Sequence, residues 1–346
     1  MGNSVSTIEG VGGSDHLKRF CSSEIVCEND PFWNALLSYS LVDLDLVAIS
    51  QSNSRLLEDS AKSLCKNLSI NNVKTGNFHT LVKYFVNRLD VVVSHGISND
   101  STNPFIWQVM NALYIIRMIC KHFIQHLSEE VIIQQFIKPA SSESTPSSSP
   151  DTTISSFVDA LVRGVAEVPV HETTILLHLE IVNTLLTLLA TVMYDSESAT
   201  HNIFYVEIME GAASSRASLL TQVLLTIYSH TNRLPSFVYK EDEAGSLSST
   251  LWSVMTLGMA GSASNQVKRV NIGQQCALLL LVLANHPNTE NPYRVALSQY
   301  NSEHEACLVK PEVSHSTLMY GLCALSYIRI PFLPGFVRNA VQRSRE

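Results

Sequence analysis

Apolar positions recur at three- and four-residue intervals along most of the chain, the spacing of a helix face. From "ENDPFWNALLSYS" (28–40) into the next residue, the run Trp33, Leu36, Leu37, Leu41 follows Asp30 and Pro31. Asp30 is placed to cap a helix, and Pro31 suits its first turn because the missing N–H would be unpaired there anyway. "TNPFIWQVMNALYIIRMICKHFIQH" repeats the signal with Asn103 and Pro104. Gln108, Asn111, His122 and Gln125 fall on one narrow side of it, so this helix is expected to be covered on more than one flank. Further helical stretches are predicted at about 53–70, 76–94, 128–137, 154–167, 215–230, 250–259, 272–285 and 317–328. Strand alternation is nearly absent.

The segment from Ile175 to Tyr194, "ILLHLEIVNTLLTLLATVMY", is long enough to suggest a membrane span. Glu180, Asn183, Thr184, Thr187 and Thr191 gather in a stripe of about 100°, which is expected to be the solvent side of a nearly buried helix. A lipid-facing Glu180 would cost at least about 2.5 kcal/mol. "KPASSESTPSSSPDTT" (138–153) reads as a Ser/Pro-rich linker, and 240–249 and the stretch from Gly261 read as flexible.

Many helices in series with broad apolar faces predict an all-α fold. An irregular α-solenoid of HEAT/armadillo-like helical pairs is favoured over an irregular globular helical domain. The expected organisation is a flexible N-terminal arm (1–29), a helical region (30–137), the linker (138–153), a second helical region (154–300) and a C-terminal tail (301–346).

Composition narrows the function. Charged residues make up only 16% of the chain against 45% apolar, and the net charge is −8. No Lys/Arg block appears, which argues against nucleic-acid binding. The seven cysteines, Cys21, Cys27, Cys65, Cys120, Cys276, Cys307 and Cys323, form no C-x-x-C pair or zinc spacing. They are expected to be reduced thiols of a cytosolic chain, which makes the sequons at Asn67 and Asn99 chance matches. His122 and His126, four apart, could share a helix face, but no third ligand follows at a clear spacing. His171 lacks the second His of H-E-x-x-H. His178, opposite the Glu180 stripe, is expected to be a bonded core histidine. Asp43 and Asp45, and the glycines of "GMAGSAS" (258–264), match three-residue or loop patterns too short to carry chemistry. No metal, cofactor or small-molecule substrate is expected, and the chain is read as not an enzyme. The alternative is an uncharacterised enzyme with a cleft between helical units.

The N-terminus carries the one specific modification signal. Met1-Gly2 with Ser6 fits M-G-x-x-x-[ST], the N-myristoylation pattern, in a Gly/Ser-rich arm. It arises by chance in roughly one chain per hundred. A single myristoyl chain holds a bilayer with a constant of only about 10⁴ M⁻¹, so a second signal is required. Lys18 and Arg19 are balanced by Glu9 and Asp15 within the first twenty residues. The second signal is therefore expected to be a membrane-resident partner; palmitoylation of Cys21 or Cys27 is the alternative.

Several blocks together resemble the dymeclin family: "MGNSVS", "ENDPFWNALLSYS", "NNVKTGN" (71–77), "NPFIWQVMNALYIIRMICK" (103–121), "LWSVMTLGMAGS" (251–262) and "LLLLVLANHPNTENPYR" (278–294). The resemblance implies a myristoylated, all-helical protein of the cytoplasm, reversibly and peripherally associated with the Golgi apparatus. It implies support of Golgi organisation and vesicle trafficking through contacts with trafficking proteins, without catalysis, and the family's lipidated glycine maps onto Gly2. After about Asn301 the chain is expected to depart from the family pattern, as a shortened product with a divergent tail.

Overall fold

The structure is a computed structural model that describes residues 15–38, 51–95, 104–139, 150–171, 173–190, 202–230, 237–238, 269–270, 272–286 and 290–307. These form helices α1 (Asp15–Phe20), α2 (Phe32–Ser38), α3 (Gln51–Thr75), α4 (Asn77–His95), α5 (Pro104–His126), α6 (Glu129–Gln135), α7 (Pro150–Glu167) and α8 (Ile175–Leu189). They continue with α9 (Ile203–Glu210), a 3₁₀ turn (Ala212–Arg216), α10 (Ala217–Ser229), α11 (Ile272–Ala284) and α12 (Pro292–Cys307). The strands β1 (Phe237–Val238) and β2 (Arg269–Val270) pair antiparallel, Phe237 opposite Val270. Among the described residues the fold is all-α apart from this two-residue ladder. The predicted stretches 250–259 and 317–328, and Asn103, lie outside the described residues.

Local chemistry sets the helix ends. Asp30 Oδ1 accepts from Phe32 N at 2.8 Å, so α2 starts where its cap predicts. Asn202 Oδ1 accepts from Phe204 N and Tyr205 N at the start of α9, and Glu129 Oε1 on α6 takes Ile203 N at 2.7 Å. Gly76 breaks what would otherwise be one helix into α3 and α4: its φ is 65°, and an added Cβ would meet Pro139 Cδ at 2.5 Å. Helix α7 starts at Pro150, inside the stretch read as linker, with the proline again in the first turn.

Packing follows a regular order along the chain. Helix α2 packs on α5, α5 on α8 and α8 on α11, while α4 packs on α7, α7 on α10 and α10 on α12. Between these two series α4 meets α5, α7 meets α8 and α10 meets α11. Buried rings connect successive helices edge to face: Phe78 with Phe123 and Phe136 (5.3 and 5.1 Å), Phe85 with Phe157 (5.7 Å), and Phe136 with Phe204 (5.9 Å).

Helix α5 is covered on several sides, and Asn111, expected with its polar flank, is buried. Its side chain donates to Leu37 O at 2.8 Å and so ties α2 to α5. The polar stripe of α8 requires a correction. Glu180 and Thr184 are buried, and only Asn183 and Thr187 are half-buried; Thr191 lies outside the described residues. The stripe does not face solvent at Glu180 because α5 crosses it and delivers Arg117, with Nε 2.5 Å from Oε1 and Nη2 3.3 Å from Oε2. Burial pushes the Glu180 carboxyl up, and the guanidinium opposes that shift. Among the described residues no helix is long and apolar enough to cross a membrane.

Candidate functional site

Gly2 and Ser6 lie outside the described residues; what the structure describes is how the chain that follows them is fastened. Helix α1 buries Phe20, and Lys18 pairs with Asp15 at 3.5 Å. Arg19 reaches Glu24 at 2.6 Å and Asp30 at 3.3 Å, with its guanidinium 5.0 Å over the Phe32 ring. Both basic residues of the arm are thus neutralised locally. Trp33 is buried against Phe20 and Phe32, and its Nε1 donates to Cys27 O at 2.9 Å.

The fastening is done by asparagines of the "NNVKTGN" block around the α3–α4 break. Asn77, fully buried, accepts from Val26 N at 2.9 Å and donates to Phe20 O and Glu24 O at 3.0 and 2.8 Å. Asn71 donates to Cys21 O at 3.0 Å. Asn72 faces the other way: it donates to Gln135 O and Oε1 at 2.8 and 3.0 Å and accepts from Phe78 N at 2.8 Å. His79 Nδ1 donates to Phe136 O at 2.8 Å, and burial holds its pKa below the usual imidazole value. One short polar block therefore joins the N-terminal arm, α3, α4 and the end of α6. A buried amide left without partners would cost about 1–3 kcal/mol, so each asparagine enforces its joint.

The two arm cysteines differ sharply. Cys21 is 5% exposed, and burial, with Cys65 adding to it, pushes its thiol up to about 12. Cys27 is exposed. Acyl transfer to sulfur needs an accessible side chain, and of the two only Cys27 is exposed.

The remaining sequence candidates separate in space. His122 and His126 meet, rings stacked at 4.3 Å, and burial, His126 and Lys62 together push the His122 imidazole down to about 4. Among the described residues no group of three or more His, Cys, Asp or Glu could hold a metal. His178 is buried, with Nδ1 2.9 Å from Thr174 O and Nε2 3.1 Å from Val168 O, as expected of a bonded core histidine. His171 is exposed on the preceding loop. Asp43, Asp45 and the glycines at 258–264 lie outside the described residues. A surface cleft of about 310 Å³ lies between the α2 start and α4, lined by Glu28, Asp30, Trp33, Asn34, Tyr84 and Arg88 among others. Its two carboxylates are engaged by Lys83 (2.9 Å) and Arg19.

Sequence reasoning missed the joints. Asn72 and Asn77 flank a helix-breaking glycine, the one local signal that could have marked them. Asn291 had a stronger one, since Asn291-Pro292 repeats the Asp30-Pro31 pattern. Asn291 accepts from Tyr293 N and Arg294 N at 2.9 and 3.2 Å and donates to Leu283 O at 2.8 Å, which fixes α12 to α11. Tyr293 OH then reaches Ile208 O on α9 at 3.2 Å.

Fold and site together define an all-helical protein whose N-terminal arm is latched by buried amides to a helical body. The family model described as "Dymeclin: Dyggve-Melchior-Clausen syndrome protein" matches residues 1–329, and this chain belongs to the dymeclin family. The match runs past Asn301, where the resemblance was expected to end. The chain is similar to dymeclin of Gallus gallus, 31% identical over 324 residues, covering 88% of this chain and 47% of that protein. It is also similar to dymeclin of Mus musculus, 30% identical over 334 residues, covering 91% and 49%. The chain thus spans about half the length of the curated relatives it matches. No solved structure matches it.

Proposed function

We propose that this chain is a non-enzymatic, peripheral membrane scaffold that supports Golgi organisation and vesicle trafficking, tethered through a myristoyl group on Gly2. The observation that carries the reading is the M-G-x-x-x-S start of a chain of the dymeclin family, ahead of an arm bolted to the helical body. A lipid on a loose terminus would position nothing beyond itself. A lipid on an arm held at Phe20, Glu24 and Val26 keeps the helical body tethered within the arm's reach of the bilayer.

The packing order supports an irregular α-solenoid of the armadillo sort. Two helix series, α2–α5–α8–α11 and α4–α7–α10–α12, advance together, and the short α6 and α9 precede the pairs α7–α8 and α10–α11. Such arrays offer extended surfaces for protein partners, here trafficking proteins, and carry no requirement for a catalytic cleft. One myristoyl chain gives reversible binding, which fits exchange between cytoplasm and Golgi membrane. Fluorescence imaging of Gly2→Ala tests the tether. A redistribution from Golgi to cytoplasm is expected, and unchanged Golgi association would remove the lipid from the mechanism.

A further inference from the structure

Helix α3 turns an unusual face outward. From Lys62 to its end at Thr75 the helix carries Lys62, Lys66 and Lys74 and no acidic residue, in a chain of net charge −8. Ile70 and Val73 stand among these lysines at 63% and 52% exposure. At about 100° per residue, Lys62, Val73, Lys66, Ile70 and Lys74 span only about 120° of the helix. Leu68, Asn72 and Thr75 point to the opposite side and are buried there. The helix is therefore amphipathic in the ordinary sense inward, and outward it presents two β-branched aliphatic side chains framed by ammonium groups.

A solvated face explains the lysines but not the two aliphatic residues between them. Two such side chains offer far less than the roughly 1,000 Å² that a stable protein interface needs. They do match a bilayer surface, where short apolar side chains enter the headgroup boundary and lysines lie along it with their charge toward anionic lipid. Lys62 also lies close enough to His122 on α5 to help hold that imidazole neutral, so the positive charge of this face comes from its lysines alone. The acidic groups of the arm near α3, Asp15 and Glu24, are already occupied by Lys18 and Arg19.

We infer that the outward face of α3, formed by Lys62, Lys66, Ile70, Val73 and Lys74, docks on an anionic lipid bilayer and supplies the second membrane signal beside the acyl chain. The inference rests on the peripheral-membrane reading above and assigns it a surface. Its placement fits that role, because the same helix holds the arm: Asn71, within the face's last turn but turned inward, binds Cys21 O. Each lysine at an anionic surface contributes about five-fold, so three together contribute about a hundred-fold. That strengthens the marginal binding of one myristoyl chain while leaving it reversible.

The test is co-sedimentation of the full chain, myristoylated by coexpression with the transferase, with vesicles of phosphatidylcholine alone or mixed with phosphatidylserine, at about 0.1 M salt. Wild type should prefer the phosphatidylserine vesicles by about twenty-fold or more. Lys66→Glu with Lys74→Glu should erase that preference, and Ile70→Ser with Val73→Ser should weaken binding several-fold on the same vesicles. These side chains are exposed, and unchanged circular dichroism would confirm that the variants fold. Phosphatidylserine binding of the lysine variant within two-fold of wild type would overturn the inference. An equal loss with Lys83→Glu, on α4, would also overturn it, by showing that net charge and not this face is sensed. Gly2→Ala separates the two readings. If it weakens binding and the lysine variant weakens it as well, both signals stand; if it changes nothing while the lysine variant weakens binding, the acyl reading fails and the face stands.

Discussion

Asn77 and Asn291 both sit fully or almost fully buried at the start of a helix, and both commit their amide to backbone groups at a joint. They differ in reach. The partners of Asn77 lie 51, 53 and 57 residues away along the chain, at Val26, Glu24 and Phe20. Those of Asn291 lie 2, 3 and 8 residues away, at Tyr293, Arg294 and Leu283. Asn291 is a helix cap that also closes the preceding helix, a local device whose parts lie close together along the chain. Asn77 is a cross-link between segments that only folding brings together. The same side chain thus completes a turn in one place and, in the other, binds the N-terminal arm to the body.

That contrast can be broken by substitution. Asn77→Ala strands the Phe20 carbonyl and the Val26 N–H in a buried site and frees the half-buried Glu24 carbonyl, and at about 1 kcal/mol for each hydrogen bond it should lower unfolding free energy by about 3 kcal/mol in urea titration. Asn291→Ala removes a helix cap whose neighbours lie within one turn and should cost about 1–2 kcal/mol. Equal losses would mean that reach along the chain does not matter.

A smaller effect concerns pH. Burial lowers the His79 pKa from 6.5, so the unfolded chain takes up protons that the folded chain refuses once pH falls below about that value. The joint at 71–79 should therefore lose stability as pH drops from about 7 toward 5, and His79→Asn should flatten that slope in thermal melts. Burial pushes His178 the same way, whereas the raised Glu180 carboxyl acts in the opposite direction, so the His79 variant rather than the raw curve isolates the joint.

Much of the helical plan was legible in the residues. Asp30-Pro31 marked α2, the long apolar repeats marked α5 and α8, and the ranges 76–94 and 272–285 fall within a residue of α4 and α11. Helices α1, α9 and α12 were not foreseen. The first two are short, with 6 and 8 residues, too few turns for a period to register. Helix α12 is mostly polar past Leu297, so its start at Asn291-Pro292 was the usable signal. The Glu180 stripe was misread because helical phase shows which residues share a side, not what covers it. Arg117, 63 residues away, is a fact of tertiary packing. The acylation motif was legible because it is local, and the latch that gives it mechanical meaning was not, because its parts are some fifty residues apart.

Hydrogen-exchange mass spectrometry of the wild type, Asn77→Ala and Asn291→Ala tests most directly whether the block at 71–79 latches the arm. Asn77→Ala should speed exchange across residues 20–38 while 150–190 stay as protected as in wild type, and Asn291→Ala should speed exchange only around 283–297. Protection of 20–38 that survives Asn77→Ala, or the same peptides loosened by both variants, would contradict the latch.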